Sequence, residues 1–227
     1  YGSLQPWDVV SSKLGRRASS QGIKDMDDRP ELLTIWDEAR GHIDAGDYAR
    51  AIETYRYILI RYHDDDVAVE YANAYLGDLF LTIQELALAR KHLVGAIGYA
   101  PENPHYHYLL GFTYSKMEEW EAAISELEAA VELEPAEGEY VRALGWATFN
   151  GRDKLEGLAQ LHRAAELAPD NANILTDLAA AFLTMGNLDK AREYGKEALG
   201  IDPGHTLVQD LLRNIDLLRK KFGQPNT

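Results

Sequence analysis

The side chains that most often carry catalysis or bind metals are few in this chain, and they are scattered. Cysteine is absent, which excludes disulfides, thiol nucleophiles and cysteine-based zinc sites. His105 and His107 are two residues apart, so on a helix they point about 200° apart and cannot share a metal. His63 precedes the aspartates 64–66. That cluster could bind a cation weakly, but it is more typical of a solvated helix end.

Other catalytic patterns are also missing. No glycine-rich phosphate loop follows a strand, because the sequence has no convincing strand pattern. Paired carboxylates such as Glu118 and Glu119 lie between helical patterns and are expected in surface turns. We therefore expect no enzymatic activity, no metal site and no cofactor. The segment Arg16-Arg17-Ala18-Ser19 matches a basophilic kinase site, although such short matches often arise by chance.

The formal net charge of −14 argues against two classes of partner. Affinity for nucleic acids comes largely from Lys and Arg side chains that neutralise phosphates, so we expect no nucleic-acid partner. Anionic membrane surfaces are disfavoured for the same reason, and no stretch approaches the roughly 18 consecutive apolar residues of a membrane span. No segment has the form of a signal peptide. A soluble, cytoplasmic location is favoured, with a periplasmic or membrane-tethered one as the alternatives.

A 34-residue period organises most of the chain, and it is marked by Pro101, Pro135, Pro169 and Pro203. Small residues recur in three further columns: Gly77, Gly111, Gly145 and Ala179; Ala89, Ala123, Gly157 and Ala191; Ala96, Ala130, Ala164 and Ala198. Apolar residues at i, i+4 and i+7 predict two helices in each unit. The small residues predict close contacts between helices. Each proline ends a unit, because proline cannot donate to the helix ladder.

The pattern resembles the tetratricopeptide repeat, whose signature is carried here by Leu110-Gly111, Tyr114, Ala123, Leu127, Ala130 and Pro135. The resemblance implies an all-α fold, a right-handed α-solenoid of about five helical hairpins with a C-terminal capping helix. The expected parts are a non-repeat segment 1–30, repeats at 32–65, 70–103, 104–137, 138–171 and 172–205, a capping helix 206–222 and a tail 223–227. Two repeats depart from the pattern. The first has His63 in place of the proline, and the fourth has Gly157 in place of Ala, with its turn glycine at Gly151.

In tetratricopeptide arrays the first helix of each hairpin lines the concave face, and the resemblance implies which of its positions point into the groove. The partner-binding residues predicted in this way are Trp36, Arg40, Tyr71, Asp78, His105, Tyr108, Phe112, Arg142, Trp146 and Phe149. This face is aromatic with isolated charges, which suits an apolar anchor or a short amphipathic helix. Arrays that clamp a C-terminal carboxylate have Asn at the ninth position of that helix. Here the ninth positions hold Arg40, Asp78, Phe112, Trp146 and Ala180, so we expect no such clamp.

Whether these rings can bind a ligand depends on their exposure. Packing between neighbouring hairpins is an equal alternative for Trp36, Tyr75 and Leu109. We expect exposure for Tyr108, Phe112, Arg142 and Trp146.

Residues 1–30 lie outside the repeats and differ from them in charge. Residues 1–24 hold four basic side chains against Asp8 alone, a net +3 that leaves −17 for the rest of the chain. Opposite charges favour docking, and the residues expected to dock are Trp7, Val10, Leu14, Arg16 and Arg17. Three arrangements stay open: a cap on the first hairpin, a position in the groove of the same or a neighbouring molecule, or order imposed only by crystal contacts.

We interpret the chain as an adaptor or scaffold for complex assembly, which binds an apolar or aromatic peptide, or a partner's helix, in its concave groove. A groove filled by the chain's own N-terminal segment would be a competitive switch. Two alternatives remain. One is a chaperone that shields an aggregation-prone client segment; the other is a self-assembling scaffold, a homo-oligomer in which the N-terminal segment of one molecule docks on the next.

Overall fold

The computed structural model describes residues 29–222, and these residues contain helices and turns but no strand. The described helices are α1 (Pro30–Asp44), α2 (Tyr48–Arg61), α3 (Asp66–Thr82), α4 (Leu86–Tyr99), α5 (Pro104–Lys116), α6 (Trp120–Leu133), α7 (Gly138–Gly151), α8 (Lys154–Leu167), α9 (Ala172–Thr184), α10 (Leu188–Ile201) and α11 (Thr206–Phe222). The predicted all-α class is confirmed for this part of the chain. The predicted docking residues Trp7, Val10, Leu14, Arg16 and Arg17 lie outside the described residues.

The described residues form two compact units, 29–119 and 120–222, which we call the N unit and the C unit. In the N unit, α1 packs on α2 and α3 on α4, and α2–α3 and α4–α5 are also packed neighbours. In the C unit, α7 packs on α8 and α9 on α10, with α6 beside α7 and α11 beside α10. Each unit is thus built from helices that pack against their neighbours in sequence, as helical-hairpin repeats do.

The columns of small residues lie where two helices touch. Their alanines are fully buried: Ala89, Ala96, Ala123, Ala130, Ala164, Ala191 and Ala198. A Cβ atom added to Gly77 on α3 would lie 2.6 Å from Leu93 Cγ on α4. One added to Gly157 on α8 would lie 2.3 Å from the backbone nitrogen of Phe149 on α7. Gly157 replaces the expected alanine because the backbones of α7 and α8 leave no room for a methyl group.

Four turns inside the hairpins share one conformation at one register, and the turn at Arg152 does not. The residues with positive φ are Gly46 at 73°, Gln84 at 63°, Glu118 at 59° and Gly186 at 79°. Glycine adopts this left-handed conformation without strain, whereas other residues do so at a cost. The backbone is therefore strained at Gln84 and Glu118. The first and last turns avoid this strain because they have glycine, Gly46 and Gly186, at the same position.

Gly151 has a different role from the predicted one. We expected it to be the displaced turn glycine of the fourth repeat, but it is the last residue of α7 and Arg152 follows it at φ −125°. A Cβ on Gly151 would lie 2.2 Å from Trp120 Cβ at the start of α6. Gly151 is therefore required for helix packing inside the C unit, and the turn prediction was wrong.

The aspartates after the first hairpin begin a helix. Asp65 is the N-cap of α3, and its side chain accepts a hydrogen bond from the backbone N–H of Ala68 at 3.2 Å. His63 and Asp64 form an exposed ion pair, with 3.3 Å between His63 Nε2 and Asp64 Oδ2. The expected role of this cluster as a helix end is confirmed, since the cap accounts for its central carboxylate.

Candidate functional site

The ten predicted partner-binding residues divide between the two units. In the N unit they lie on three first helices of hairpins: Trp36 and Arg40 on α1, Tyr71 and Asp78 on α3, and His105, Tyr108 and Phe112 on α5. In the C unit they lie on one first helix: Arg142, Trp146 and Phe149 on α7.

Four aromatic rings form one packed cluster on α1, α2 and α3, and we call Trp36, Tyr55, Tyr71, Tyr75 and Asp78 the N-unit cluster. The ring centroid of Trp36 lies 5.2 Å from that of Tyr55, 5.4 Å from Tyr75 and 6.2 Å from Tyr71, all edge to face. Tyr55 and Tyr75 stack at 5.1 Å. Trp36, Tyr55 and Tyr75 are buried, whereas Tyr71 is half-buried. For Trp36 and Tyr75, packing between helices is therefore the observed arrangement, and Leu109 on α5 is buried in the same way.

Asp78 lies beside these rings, one turn after Tyr75 on α3. Only 9% of its surface is exposed, and no described residue donates a hydrogen bond or forms an ion pair to its carboxylate. Burial raises the pKa of Asp78 from 3.8 to about 7, because a desolvated carboxylate without a partner favours its protonated form. The N unit thus carries a buried acid whose charge is not compensated.

The hydroxyl of Tyr55 is a second uncompensated group in the N-unit cluster. Its oxygen is buried and has no hydrogen-bond partner. Burial raises the pKa of Tyr55 well above its usual range, with smaller contributions from Tyr75 and Asp78. Burial raises the pKa of Tyr75 as well, whereas the neighbouring indole of Trp36 opposes that rise. Sequence reasoning missed Tyr55 because it lies on a second helix, in the column that usually fills the core between the two helices of a hairpin.

A row of rings runs along α5. The centroids of His105 and Tyr108 are 5.8 Å apart, and those of Tyr108 and Phe112 are 6.2 Å apart. Lys116 Nζ lies 5.2 Å from the centroid of Phe112. Only 3% of Tyr108 is exposed, so its predicted exposure was wrong: the ring packs between His105 one turn before and Phe112 one turn after. Phe112 is half-buried and remains the accessible ring of this row.

Arg142 on α7 is held by two carboxylates. Its Nε donates to Glu139 Oε2 at 2.9 Å, its Nη2 to Glu139 Oε1 at 2.5 Å and its Nη1 to Asp177 Oδ2 at 2.5 Å. All three side chains are mostly buried, with 13%, 15% and 19% exposure for Arg142, Glu139 and Asp177. The predicted exposure of Arg142 was therefore wrong, because a buried guanidinium requires anionic partners and Glu139 and Asp177 supply them.

Burial also affects the acids of this network. It raises the pKa of Asp177, while the contact with Arg142 opposes that rise. We call Glu139, Arg142 and Asp177 the C-unit triad. The triad joins first helices of two successive hairpins, α7 and α9, because the guanidinium of Arg142 donates hydrogen bonds to both acids. It therefore acts in the structure as a link between repeats.

Trp146 and Phe149 follow the triad on α7. Their rings are stacked with 6.0 Å between centroids, and Lys154 Nζ lies 5.9 Å from the centroid of Phe149. Phe149 is buried, whereas Trp146 is half-buried. Trp146 is thus the accessible ring on α7, and it stacks on the buried ring of Phe149.

His205 is a buried polar residue that sequence reasoning did not select. It lies just before α11, and its Nε2 is 3.2 Å from Asn173 Oδ1 on α9. Its Nδ1 is buried without a hydrogen-bond partner. The contact joins residues 32 positions apart, so no local sequence pattern could have indicated it.

Two other properties of the described part bear on function. Among residues 29–222, no three His, Asp or Glu side chains are arranged so that they could hold a metal ion. None of the described helices combines the length and apolar character that crossing a membrane requires.

Comparison with known proteins identifies the repeats. Family models for the tetratricopeptide repeat match residues 37–104, 104–137 and 156–215. Solved structures with this fold include YrrB, described as a TPR protein with an unusual peptide-binding site; it is 22% identical, with 85% of this chain and 98% of YrrB covered and a TM-score of 0.60. MamA is 19% identical, with 73% and 94% covered and a TM-score of 0.61.

A thermophilic TPR protein of Thermus thermophilus is 18% identical, with 82% of this chain and 99% of that protein covered and a TM-score of 0.66. At these identities the similarity shows a shared fold. No curated protein is significantly similar in sequence.

Proposed function

This chain belongs to the tetratricopeptide repeat family of protein–protein interaction scaffolds, and we propose that it is an adaptor whose first helices bind an apolar or aromatic peptide, or a partner's helix. The carrying observation is that the first helices present half-buried aromatic rings supported by buried ones. On α5, Phe112 lies next to buried Tyr108; on α7, Trp146 stacks on buried Phe149. Rings held in place in this way lose little entropy when they bind, which is characteristic of interface anchors.

The charges around these rings suit a polypeptide ligand. Lys116 lies over Phe112, so a cation borders the accessible ring of the N unit. In the C unit the C-unit triad lies one turn before Trp146, and its guanidinium is paired with both of its carboxylates. At Trp146 a mainly apolar peptide segment therefore meets an aromatic anchor whose neighbouring charges are ion-paired. The description of YrrB as a peptide-binding TPR protein supports the same class of ligand.

We also propose that residues 1–30 compete with the partner for the first-helix face of the N unit. The net charge of +3 over residues 1–24 opposes −17 on the rest of the chain. A tethered segment acts at an effective concentration of about millimolar, so it can exclude a weak ligand and still yield to a tight one. The N-terminal segment would then set how tightly a partner must bind in order to displace it.

Peptides selected by display on the intact chain would test the proposed function. Their affinities are measured for the wild type and for Phe112→Ala, Trp146→Ala and Ile60→Ala. Ile60 is the matched control, because it is an apolar side chain on the second helix α2 with 75% exposure. We expect roughly tenfold weaker binding for the variant in the unit that holds the peptide, and unchanged binding for Ile60→Ala. Equal affinity of all four proteins would refute binding on the first helices.

A further inference from the structure

Helix α11 exposes two large apolar side chains on the surface of the C unit. Leu207 is 66% exposed and Leu217 is 64% exposed. Single exposed apolar residues are common on protein surfaces, so the meaning of these two leucines depends on which side of α11 carries them.

One side of α11 packs tightly on α10. A Cβ atom added to Gly195 on α10 would lie 2.9 Å from Leu212 Cδ2 on α11. One turn after Leu212, the Oδ1 atom of Asp216 lies 3.3 Å from Arg192 Nε on α10. These two contacts fix the direction in which α11 faces α10.

The leucines follow a different side of the helix. Val208 and Ile215 are fully buried and mark the side of α11 that faces the core. At about 100° per residue, Leu207, Leu211 and Leu218 form a stripe on the far side of these two residues from the α10 contacts. The other helix on which α11 packs is α9. The stripe therefore lies along the edge of α11 that borders α9.

Helix α9 lies between α11 and α7. The Oδ1 atom of Asn173 is 3.2 Å from His205 Nε2, immediately before α11. One turn after Asn173, Asp177 accepts the hydrogen bond of 2.5 Å from Arg142 on α7. These two links hold α7, α9 and α11 side by side in this order. The face that carries Trp146 therefore continues across α9 to α11.

Each of these three helices places an apolar side chain on the same core. Trp146 on α7, Leu183 on α9 and Leu211 on α11 are all half-buried against one cluster of buried side chains. Leu207 precedes Leu211 by one turn, and Leu217 lies one period of 34 residues after Leu183. We call these five side chains the C-unit face.

The charge of α11 indicates the kind of partner. The helix holds four basic side chains against two acidic ones, a net +2 in a chain of −14. Both acids are already paired, Asp210 with Arg213 at 2.6 Å and Asp216 with Arg192. Lys220 is exposed, and no described acid pairs with it. Charges act over about 8 Å at physiological ionic strength, so a ligand on α11 meets this local positive excess. The helix therefore favours carboxylates on its partner.

The spacing of the leucines favours a helical partner. Leu207, Leu211 and Leu218 recur at i, i+4 and i+11 and span about 17 Å along α11. An amphipathic helix carries apolar side chains at the same spacing on one face, so it contacts all three leucines at once. A second copy of α11 has this spacing too, but it brings the same positive excess, and like charges oppose pairing. An acidic helix of a different protein fits better.

We propose that α11 is a wall of the partner-binding face of the C unit, and that this face binds an acidic amphipathic helix of a partner protein. The apolar side of that helix packs on the C-unit face, and its carboxylates lie near Lys220. The inference rests on the proposed function, because it extends the face that carries Trp146 and names the chemistry of the partner.

Two synthetic helical peptides of about 18 residues, long enough to span α11, serve as probes. They share one stripe of leucines; the other positions hold Glu and Gln in the acidic peptide, and Lys and Gln in the basic one. Fluorescence anisotropy of a label on each peptide measures its affinity for the full chain at physiological salt. We expect the acidic peptide to bind at least about tenfold more tightly.

This order of affinities is diagnostic, because the net charge of −14 attracts the basic peptide in general. Tighter binding of the acidic peptide therefore requires a local basic site. Failure of the acidic peptide to bind, equal affinities, or tighter binding of the basic peptide would overturn the proposed partner.

Substitutions on α11 locate the site. Leu207→Ser with Leu217→Ser should weaken binding of the acidic peptide roughly tenfold. Leu155→Ser on the second helix α8 is the matched control, because Leu155 is a leucine of the same unit with 69% exposure; it should leave the affinity unchanged. Lys220→Gln should weaken binding about threefold, whereas Lys196→Gln, at an exposed lysine of α10, should not. Circular dichroism confirms the fold of each variant. Unchanged affinity of the double leucine variant would overturn α11 as a binding wall.

The same measurements separate this inference from the proposed function. If Trp146→Ala weakens binding of the acidic peptide and the double leucine variant does not, the adaptor function stands and the role of α11 is wrong. If the double leucine variant weakens binding and neither Trp146→Ala nor Phe112→Ala does, the α11 site stands and the proposed function fails. Sedimentation of the chain without peptide detects a second copy. A dimer that Leu207→Ser with Leu217→Ser converts to a monomer would overturn the partner helix as occupant.

Discussion

Arg142 on α7 donates a hydrogen bond of 2.5 Å to Asp177 on α9, 35 residues later in the sequence. With Glu139 also bound to the same guanidinium, this contact is a polar link between two consecutive first helices of the C unit. Removal of one member of a mostly buried ion pair leaves the other charge without compensation, which is strongly destabilising.

We therefore expect Arg142→Ala to lower the free energy of unfolding by about 2–4 kcal/mol. The matched control is Arg40→Ala, which breaks the exposed pair with Asp37 and should cost about 0–1 kcal/mol. Urea denaturation of the two variants and the wild type measures both values. Equal losses for Arg142→Ala and Arg40→Ala would contradict the assigned role of the C-unit triad.

The raised pKa of Asp78 predicts a pH-dependent stability. In the folded chain, burial lets Asp78 keep its proton up to a pKa of about 7, whereas the unfolded chain loses it near 3.8. Between these values the folded state binds the additional proton, so stability falls as pH rises and is level above about 7. Between low and high pH the free energy of unfolding should fall by at most about 4 kcal/mol. In the Asp78→Asn variant this fall should be absent.

Urea denaturation at pH 5 and pH 8 tests this dependence, with Asp37→Asn as the control for an exposed carboxylate. If stability depends on pH in the same way in the Asp78→Asn variant as in the chain with Asp78, the raised pKa of Asp78 is refuted.

The left-handed turn residues predict a gain in stability. Gln84→Gly and Glu118→Gly place glycine at φ 63° and 59°, where a side chain is strained, and each should stabilise by about 0.5–1 kcal/mol. Arg152→Gly is the control, because Arg152 occupies the corresponding turn at φ −125° and glycine there only adds freedom to the unfolded chain. Thermal denaturation that shows no gain for either turn, or a gain for Arg152→Gly, would be inconsistent with this account.

Replacing Gly157 by alanine, the residue expected at this position of the repeat, should destabilise the protein. Alanine is the expected residue at this position, yet its Cβ would lie 2.3 Å from the Phe149 backbone nitrogen. We expect Gly157→Ala to cost about 2 kcal/mol or more. Gly98→Ala on α4 has no atom within 4 Å of the new Cβ and should be neutral or stabilising by up to about 1 kcal/mol. Chemical denaturation of the two variants compares them directly.

The helical hairpins could be predicted because their determinants repeat. Gly77, the buried alanine columns and the period of the prolines all specify contacts between helices that are adjacent in sequence. Such contacts recur in every unit, so one unit predicts the next. The N-caps could be predicted in the same way, as Asn103 before Pro104 illustrates: its side chain accepts from the N–H of His105 at 3.1 Å.

The state of individual groove residues could not be predicted in this way. Position in the repeat placed Arg142 and Tyr108 on the first-helix faces, but their exposure depends on neighbours that do not repeat. Arg142 is mostly buried and paired with Glu139 and Asp177, and Tyr108 is buried with its ring stacked between His105 and Phe112. The isolation of Asp78 is likewise visible only when the side chains of α1, α2 and α3 are brought together.

Amide hydrogen exchange of the full chain, with and without a display-selected peptide, tests the central claim most directly. If the first helices form the binding face, bound peptide should slow exchange in helices among α1, α3, α5, α7 and α9. Exchange in α2, α4, α6, α8 and α10 should change little. Slower exchange confined to those second helices would contradict the account.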